Sequence, residues 1–281
     1  MSTGADAPVG LPAPDTEEMT YVYAVGRDGP ALRALVSGLP GVDGRPLHPV
    51  GEGGLCALVS PVPAGTFSEQ GLAAQMEDLE RLEAVARAHH AVVEAAFAET
   101  AVLPMRLATV YLDDTRVVDM LARQREQFQE LLGRLEGHVE LGVKVYADPS
   151  AAVPVPATVT SVAAGTGRDY LRQRRADQRN SRDAYRAASE LAARAGQLAQ
   201  SVAAARAVHR PQQGQLASHP GVNVANEAYL VPLTHTEQLR RELAALADGT
   251  PGVSVEVTGP WAPYSFATAP AAQGADGGGA R

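Results

Sequence analysis

Residues 234–267 read THTEQLRRELAALADGTPGVSVEVTGPWAPYSFA, and the punctuation of this stretch decides how the second half of the chain folds. Thr234-His235-Thr236-Glu237 has the form of a capping box, in which the first and last side chains satisfy each other's orphan amides at a helix start. Leu239, Leu243 and Leu246 follow at i, i+4 and i+7, which predicts a helix with one apolar face, and Gly249 and Pro251 end it. Val253, Val255 and Val257 then alternate with Ser254, Glu256 and Thr258, the pattern of a strand covered on one face. Beyond it the chain, which is only 5% aromatic, places Trp261, Tyr264 and Phe266 within six positions, and Trp261 is its single tryptophan. Pro260 and Pro263 each lack an amide hydrogen and fix φ, so neither a helix nor an inner strand is expected here. A stiff segment loaded with aromatics is a candidate interface, expected to close the sheet's open end and pack against the first domain, or else to anchor a partner.

Working backward, HVELGVKVYAD at 138–148 alternates Val143 and Val145 with Lys144 and Tyr146, a strand. An Ala/Val/Pro-rich connector spans 147–165, and Thr166 to Asp169 is expected to cap a long helix running over about 168–210 and ending before Pro211. VNVANEAYLVPL is the next strand. The order β, long α, short β, β, α, β suits an antiparallel sheet with two helices on one face, the ferredoxin-like arrangement.

The first half opens on MTYVYAVG, 19–26, with Tyr21, Tyr23 and Val25 on one face, followed by a short helix, ALRALVSGL. HPVGEGGLCALVSPV reads as two strands about a turn at Gly51 to Gly54. A capping box at Thr66 to Glu69 predicts one helix to about Thr100, with Leu72, Met76, Leu79, Leu82, Val85, His89, Val92 and Ala96 inward. VLPMRLATVY, 102–111, is expected to return as a strand. Asp114 and Thr115 open a helix with Val117, Leu121, Phe128, Leu131 and Leu135 inward, stopped by Gly137. The expected fold is α+β in two domains: a looser α+β sandwich over 19–137 and a ferredoxin-like domain over 138–269, with disordered tails at 1–18 and 270–281.

The 281 residues carry a formal charge of −8, which argues against general nucleic-acid binding. A single cysteine, Cys56, allows neither an internal disulfide nor a zinc cluster. No run approaches the ~18 apolar residues of a membrane-spanning helix. The N-terminal stretch has neither the basic start nor the apolar block of a secretory leader, so a cytoplasmic location is expected. No phosphate-cradling loop and no nucleophile elbow occur, and GEGG at 51–54 is a turn between strands rather than a dinucleotide fingerprint.

His89 and His90 point about 100° apart on a helix. His89 therefore reads as a hydrogen-bonded core histidine, and His90 pairs outward with Glu94. Arg106, in an apolar strand, is a candidate for a buried ion pair with Glu80 or Glu83. The stretch 168–186 holds seven arginines and three aspartates, the pattern of a solvated helix. Further along, Leu191, Ala195, Leu198, Val202 and Ala205 make a seam able to seat another helix. Two alternatives to a binding role follow from these residues. One is a small-molecule enzyme on a ferredoxin-like scaffold using Arg106 and His89. The other is a nucleic-acid adaptor using the arginine-rich helix.

Six segments, taken together and in order, resemble the gas vesicle protein F/L family. They are YVYAVG at 21–26, LCALVSPVP at 55–63, LERLEAVARAH at 79–89, VLPMRLATV at 102–110, LGVKVYAD at 141–148 and GPWAPYSFA at 259–267. The core LPMRLATV departs mildly from the family's Leu-Arg-Phe-Gly at Met105, Leu107 and Ala108. The resemblance implies two α+β domains, one ferredoxin-like, and a non-enzymatic accessory or minor structural protein of gas vesicles. It further implies binding to the main gas vesicle shell protein and to other accessory proteins. No cofactor, metal, nucleic acid or membrane is implied.

Overall fold

The computed structural model describes residues 17–75, 78–151, 167–211 and 221–268. Residues 1–16 and 270–281 of the expected tails, most of the 147–165 connector, the Thr166 cap and Met76 lie outside them, while Glu18, expected in the first tail, opens the first strand. The chain forms two compact units that divide between Gln129 and Glu130. The fold is α+β, with one antiparallel sheet in each unit.

In chain order the first unit contains β1 (Glu18–Arg27), α1 (Pro30–Leu35), β2 (His48–Glu52), β3 (Leu55–Pro63), α2 (Ala64–Phe67) and α3 (Glu69–Gln75). Next come α4 (Leu79–Glu99), β4 (Val102–Pro104), β5 (Val110–Tyr111) and α5 (Asp114–Arg123). The helix α6 (Arg125–Leu135) runs across the division. Strands order as β2-β3-β1-β4, with β5 also on β1. Strand β1 is therefore central, and its residues from Thr20 to Gly26 are buried without a break. Helix α4 lies over the face that carries Tyr21 and Tyr23. Buried Val117, Leu121, Phe128, Leu131 and Leu135 fulfil the expected stripe of α5 and α6, and Gly137 takes φ +72° at the end.

Three elements of this unit differ from expectation, the first being the helix opened at Asp114, which is interrupted at Gln124 into α5 and α6. The single helix from Thr66 to Thr100 is broken: Ser68 adopts an extended backbone, and Asp78 caps a fresh helix by accepting from the Arg81 amide, which leaves Leu79, expected inward, exposed in its first turn. The expected strand 102–111 splits into β4 and β5 on the same edge of β1. Met105 N–H still donates to Tyr23 O and Val22 N–H to Thr109 O, but the residues between them leave the ladder in a turn closed by Thr109 N–H on Arg106 O. That turn puts Arg106 in solvent, so no buried ion pair forms there. It also holds Ala108 at φ +61°.

The second unit contains β6 (His138–Ala147), α7 (Gly167–Gln200), β7 (Ala205–Val208), β8 (Val222–Pro232), α8 (Thr236–Ala245) and β9 (Val253–Trp261). The sheet order β7-β8-β6-β9, all antiparallel, is the ferredoxin-like arrangement. Alternation on β6 sends Leu141, Val143 and Val145 into the layer beneath the helices. There they meet Ala188, Leu191, Ala195 and Ala199 of α7 and Leu239 and Leu243 of α8. The small-residue seam of α7 is thus filled by this chain's own sheet.

Helix α7 stops at Gln200, not near 210, because Ala205–Val208 pairs with β8 and Arg206 bridges to Glu227. The box at Thr234 is not formed either. Its residues sit in a 3-10 turn, Leu233–His235, and Thr236 Oγ1 donates to Pro232 O instead.

A left-handed alanine costs about 1–2 kcal/mol, while glycine costs about 0.5–1 in chain entropy. Ala108→Gly is therefore expected to raise stability by about 0.5–1 kcal/mol in urea denaturation. A loss of stability would contradict the strain at this turn.

Candidate interaction site

Strand β9 lies at the sheet edge, which is where a proline can be carried, and it continues through Pro260 to Trp261. Its register with β6 shifts between Glu140 and Gly142, so that Trp261 comes opposite Glu140. Gly259 sits at φ +103°, and a Cβ there would meet the Glu140 carbonyl oxygen at 2.6 Å, so the chain can pass only with glycine.

The segment then folds into a short 3-10 turn, Tyr264–Phe266. Ser265 fastens it: its N–H donates to Glu140 Oε2 at 2.8 Å and its hydroxyl to Glu140 Oε1 at 2.7 Å. With its hydrogen committed to the carboxylate, Ser265 Oγ accepts from His209 Nε2 at 3.0 Å. Glu140 alternates with Leu141, which faces the helices, so this strap lies on the opposite face of the sheet. Burial raises the Glu140 carboxyl above its ordinary range, and the two Ser265 donors pull it back.

The three aromatics separate. Phe266 is buried, as is Ala262, Tyr264 is half-buried, and Trp261 is 41% exposed. Glu140, Ser265 and His209 were not singled out from sequence. The available signal was a carboxylate at 140 between the apolar Val139 and Leu141 of a strand.

The first unit holds a second polar cluster. His89 is 3% exposed on α4. Its Nε2 lies 3.1 Å from Met105 O and so must carry the proton, since a carbonyl only accepts. Nδ1 then accepts from the Tyr21 hydroxyl at 3.0 Å, and the Tyr21 oxygen accepts the Ala108 amide at 3.0 Å. His89 thus ties α4 to the 105–109 turn through Tyr21. Desolvation lowers its pKa from 6.5 to about 4, against the pull of the Met105 carbonyl. Tyr23 is likewise engaged, with Ser60 Oγ at 2.7 Å and the Val42 amide at 2.7 Å.

Arg106 and His89 are not brought into one polar hollow: one is exposed, the other buried with both ring nitrogens bonded. Among the described residues no group of three or more His, Cys, Asp or Glu could hold a metal. Burial pushes the Cys56 thiol up to about 11, away from nucleophilic use. A groove of about 360 Å³ runs between Ala192, Ala193 and Gly196 of α7 and the Arg206–Glu227 pair. Those two charges are satisfied by each other and by Tyr229. Among the described residues no helix is long and apolar enough to cross a membrane.

A family model described as gas vesicle synthesis protein GvpL/GvpF matches residues 19–268. The chain belongs to this family. It is 45% identical over 256 residues to gas vesicle protein L of Streptomyces sp. (strain CB03234), covering 90% of this chain and 94% of that protein. It is 33% identical to gas vesicle protein F of the same organism over 48% of this chain and 51% of the other. The fold matches the crystal structure of GvpF from Anabaena sp. PCC7120, with a TM-score of 0.60 at 18% identity over 90% of this chain and 98% of that one. GvpF from Microcystis aeruginosa gives 0.59 at 17% identity, over 89% and 99%. Membership in this family places the chain's role in gas vesicle formation.

The His89 pKa lies below its unfolded value, so its contribution to stability is complete above about pH 6.5 and is lost as pH falls toward 4. The full loss is about 3 kcal/mol. Urea denaturation of the protein and of His89→Gln across that range should show a stability difference that shrinks with acidification. A difference that stays constant would contradict this.

Proposed function

We propose that the chain is a non-enzymatic accessory or minor structural protein of gas vesicles. It binds the main gas vesicle shell protein and other vesicle proteins during assembly, in the cytoplasm and at the vesicle. The observation that carries this reading is Trp261. A single tryptophan stands 41% exposed on a segment whose neighbours Ala262 and Phe266 are buried and whose turn is fastened by Glu140. A large rigid side chain held outward in this way suits partner contact, because it loses little freedom on binding.

The chemistry of the partner fits. A protein that lines a gas space presents apolar, β-rich surface, which is an aggregation hazard before assembly. A partner of net charge −8 whose sheet ends in the edge strands β7 and β9 can cover such a surface by strand addition or groove packing. In this reading Phe266 and Tyr264 hold the strap and Trp261 meets the partner.

Trp261→Ala is expected to leave the melting temperature nearly unchanged, a loss of about 1 kcal/mol or less, while capture of the shell protein in a pull-down falls. Phe266→Ala should instead cost about 3–5 kcal/mol. A Trp261→Ala loss as large as that of Phe266→Ala, with capture intact, would make the tryptophan a packing residue. Deleting the gene should abolish or malform vesicles seen by electron microscopy; normal vesicles would refute the role.

A further inference from the structure

Helix α7 is 34 residues long, yet its first buried residue among those described is Ala184. The core positions Ala184, Ala188, Leu191, Ala195 and Ala199 all belong to its second half. Of the described residues in the first half only Leu171 and Ala176 are apolar, and neither is buried. A helix of that kind is held by surface pairs or by something outside the chain.

Five arginines between residues 172 and 186 share one face, while Arg174 lies off it. Arg172, Arg175, Arg179, Arg182 and Arg186 recur at spacings of three and four. At about 100° per residue they fall within an arc of about 80°, on the side of the helix opposite Ala184 and Ala188. All five are exposed. Arg186 is steadied by Asp183 at 3.3 Å and Glu190 at 4.0 Å. Arg175, Arg179 and Arg182 have no acidic partner among the described residues. The stripe is about 21 Å long, with a guanidinium roughly every 5.4 Å turn.

We propose that this stripe docks an acidic helix of another vesicle-assembly protein, one that presents Asp or Glu at i, i+4, i+7 and i+11. The inference rests on the assembly role argued above. Charge and spacing both select this occupant. Guanidinium groups pair with carboxylates in a planar, two-pronged fashion, and one per turn matches a carboxylate row with the same repeat. Among the described residues of a second copy, the glutamate-bearing helices α4 and α8 offer no such row, because Arg87 and Arg240 and Arg241 interrupt them. Nucleic acid fits less well, because the chain as a whole is negative and repels a polyanion beyond the local stripe.

The test uses the full-length protein and fluorescence anisotropy. One labelled helical peptide carries glutamates at i, i+4, i+7, i+11 and i+14. A second has the same composition with the glutamates moved off the stripe, and a third probe is a short DNA duplex. The striped peptide is expected to bind at least about tenfold more tightly than the shuffled one, and to weaken at least about tenfold between roughly 50 and 300 mM salt. Arg175→Gln/Arg179→Gln/Arg182→Gln, at exposed positions, should remove this preference without changing the circular dichroism. Equal binding of the two peptides, no binding at low salt, or tighter binding of DNA overturns the proposal. If the peptides fail in a protein whose deletion abolishes vesicles, only the stripe's role falls. If the deletion strain makes normal vesicles, the assembly role falls with it.

Discussion

Strand β6 is the member on which the second unit depends. It is the one strand of its sheet that pairs along most of its length on both sides, with β8 and with β9. Its alternation assigns opposite duties to adjacent residues. Leu141, Val143 and Val145 anchor the helices on one face, while Glu140 fastens the Ser265 strap on the other. A slip of one residue would send Glu140 into the apolar layer and Leu141 toward the strap. Burial of a carboxylate is tolerable here because two Ser265 donors meet it and His209 backs the hydroxyl.

The first unit uses the same device in a different place. A buried strand residue, Tyr21, reaches a turn that has left the sheet and receives the Ala108 amide, while His89 donates to the Met105 carbonyl. Without these bonds the turn's polar groups would lack partners beside a filled core. In each unit, then, a buried ionisable side chain, Glu140 or His89, holds an irregular segment against a sheet. That arrangement produces fixed surfaces, and it leaves none of these groups converging on an open hollow.

Much of this was legible in the sequence because it is set by local periodicity. The valines of β9, the tyrosines of β1 and the leucines of α8 each announce a face. What escaped was set by distant partners. β7 is only Ala205–Val208, two of its residues alanine, and it exists through its pairing with β8 and the Arg206–Glu227 bridge. The apolar run around Arg106 reads as one strand, yet the Tyr21 hydroxyl and the Thr109 turn draw its middle out of the ladder. The boxes at Thr66 and Thr234 fit the capping pattern, but the chain begins the main helices elsewhere, at Asp78 and Thr236. Of the candidate interaction site, the aromatic cluster was visible and its fastening was not, since Glu140 and Ser265 are 125 residues apart.

A member of the GvpL/GvpF family thus carries an exposed tryptophan on a pinned strap and a row of exposed arginines along α7. The pin is the claim that can be examined most directly. Hydrogen exchange at the Ser265 amide reports its bond to Glu140 without reference to any partner. In Glu140→Ala, exchange over residues 262–267 should accelerate at least about tenfold while the β6–β8 ladder stays protected. Unchanged protection of the strap in that variant would show that Glu140 does not hold it, and the account of how Trp261 is presented would fail.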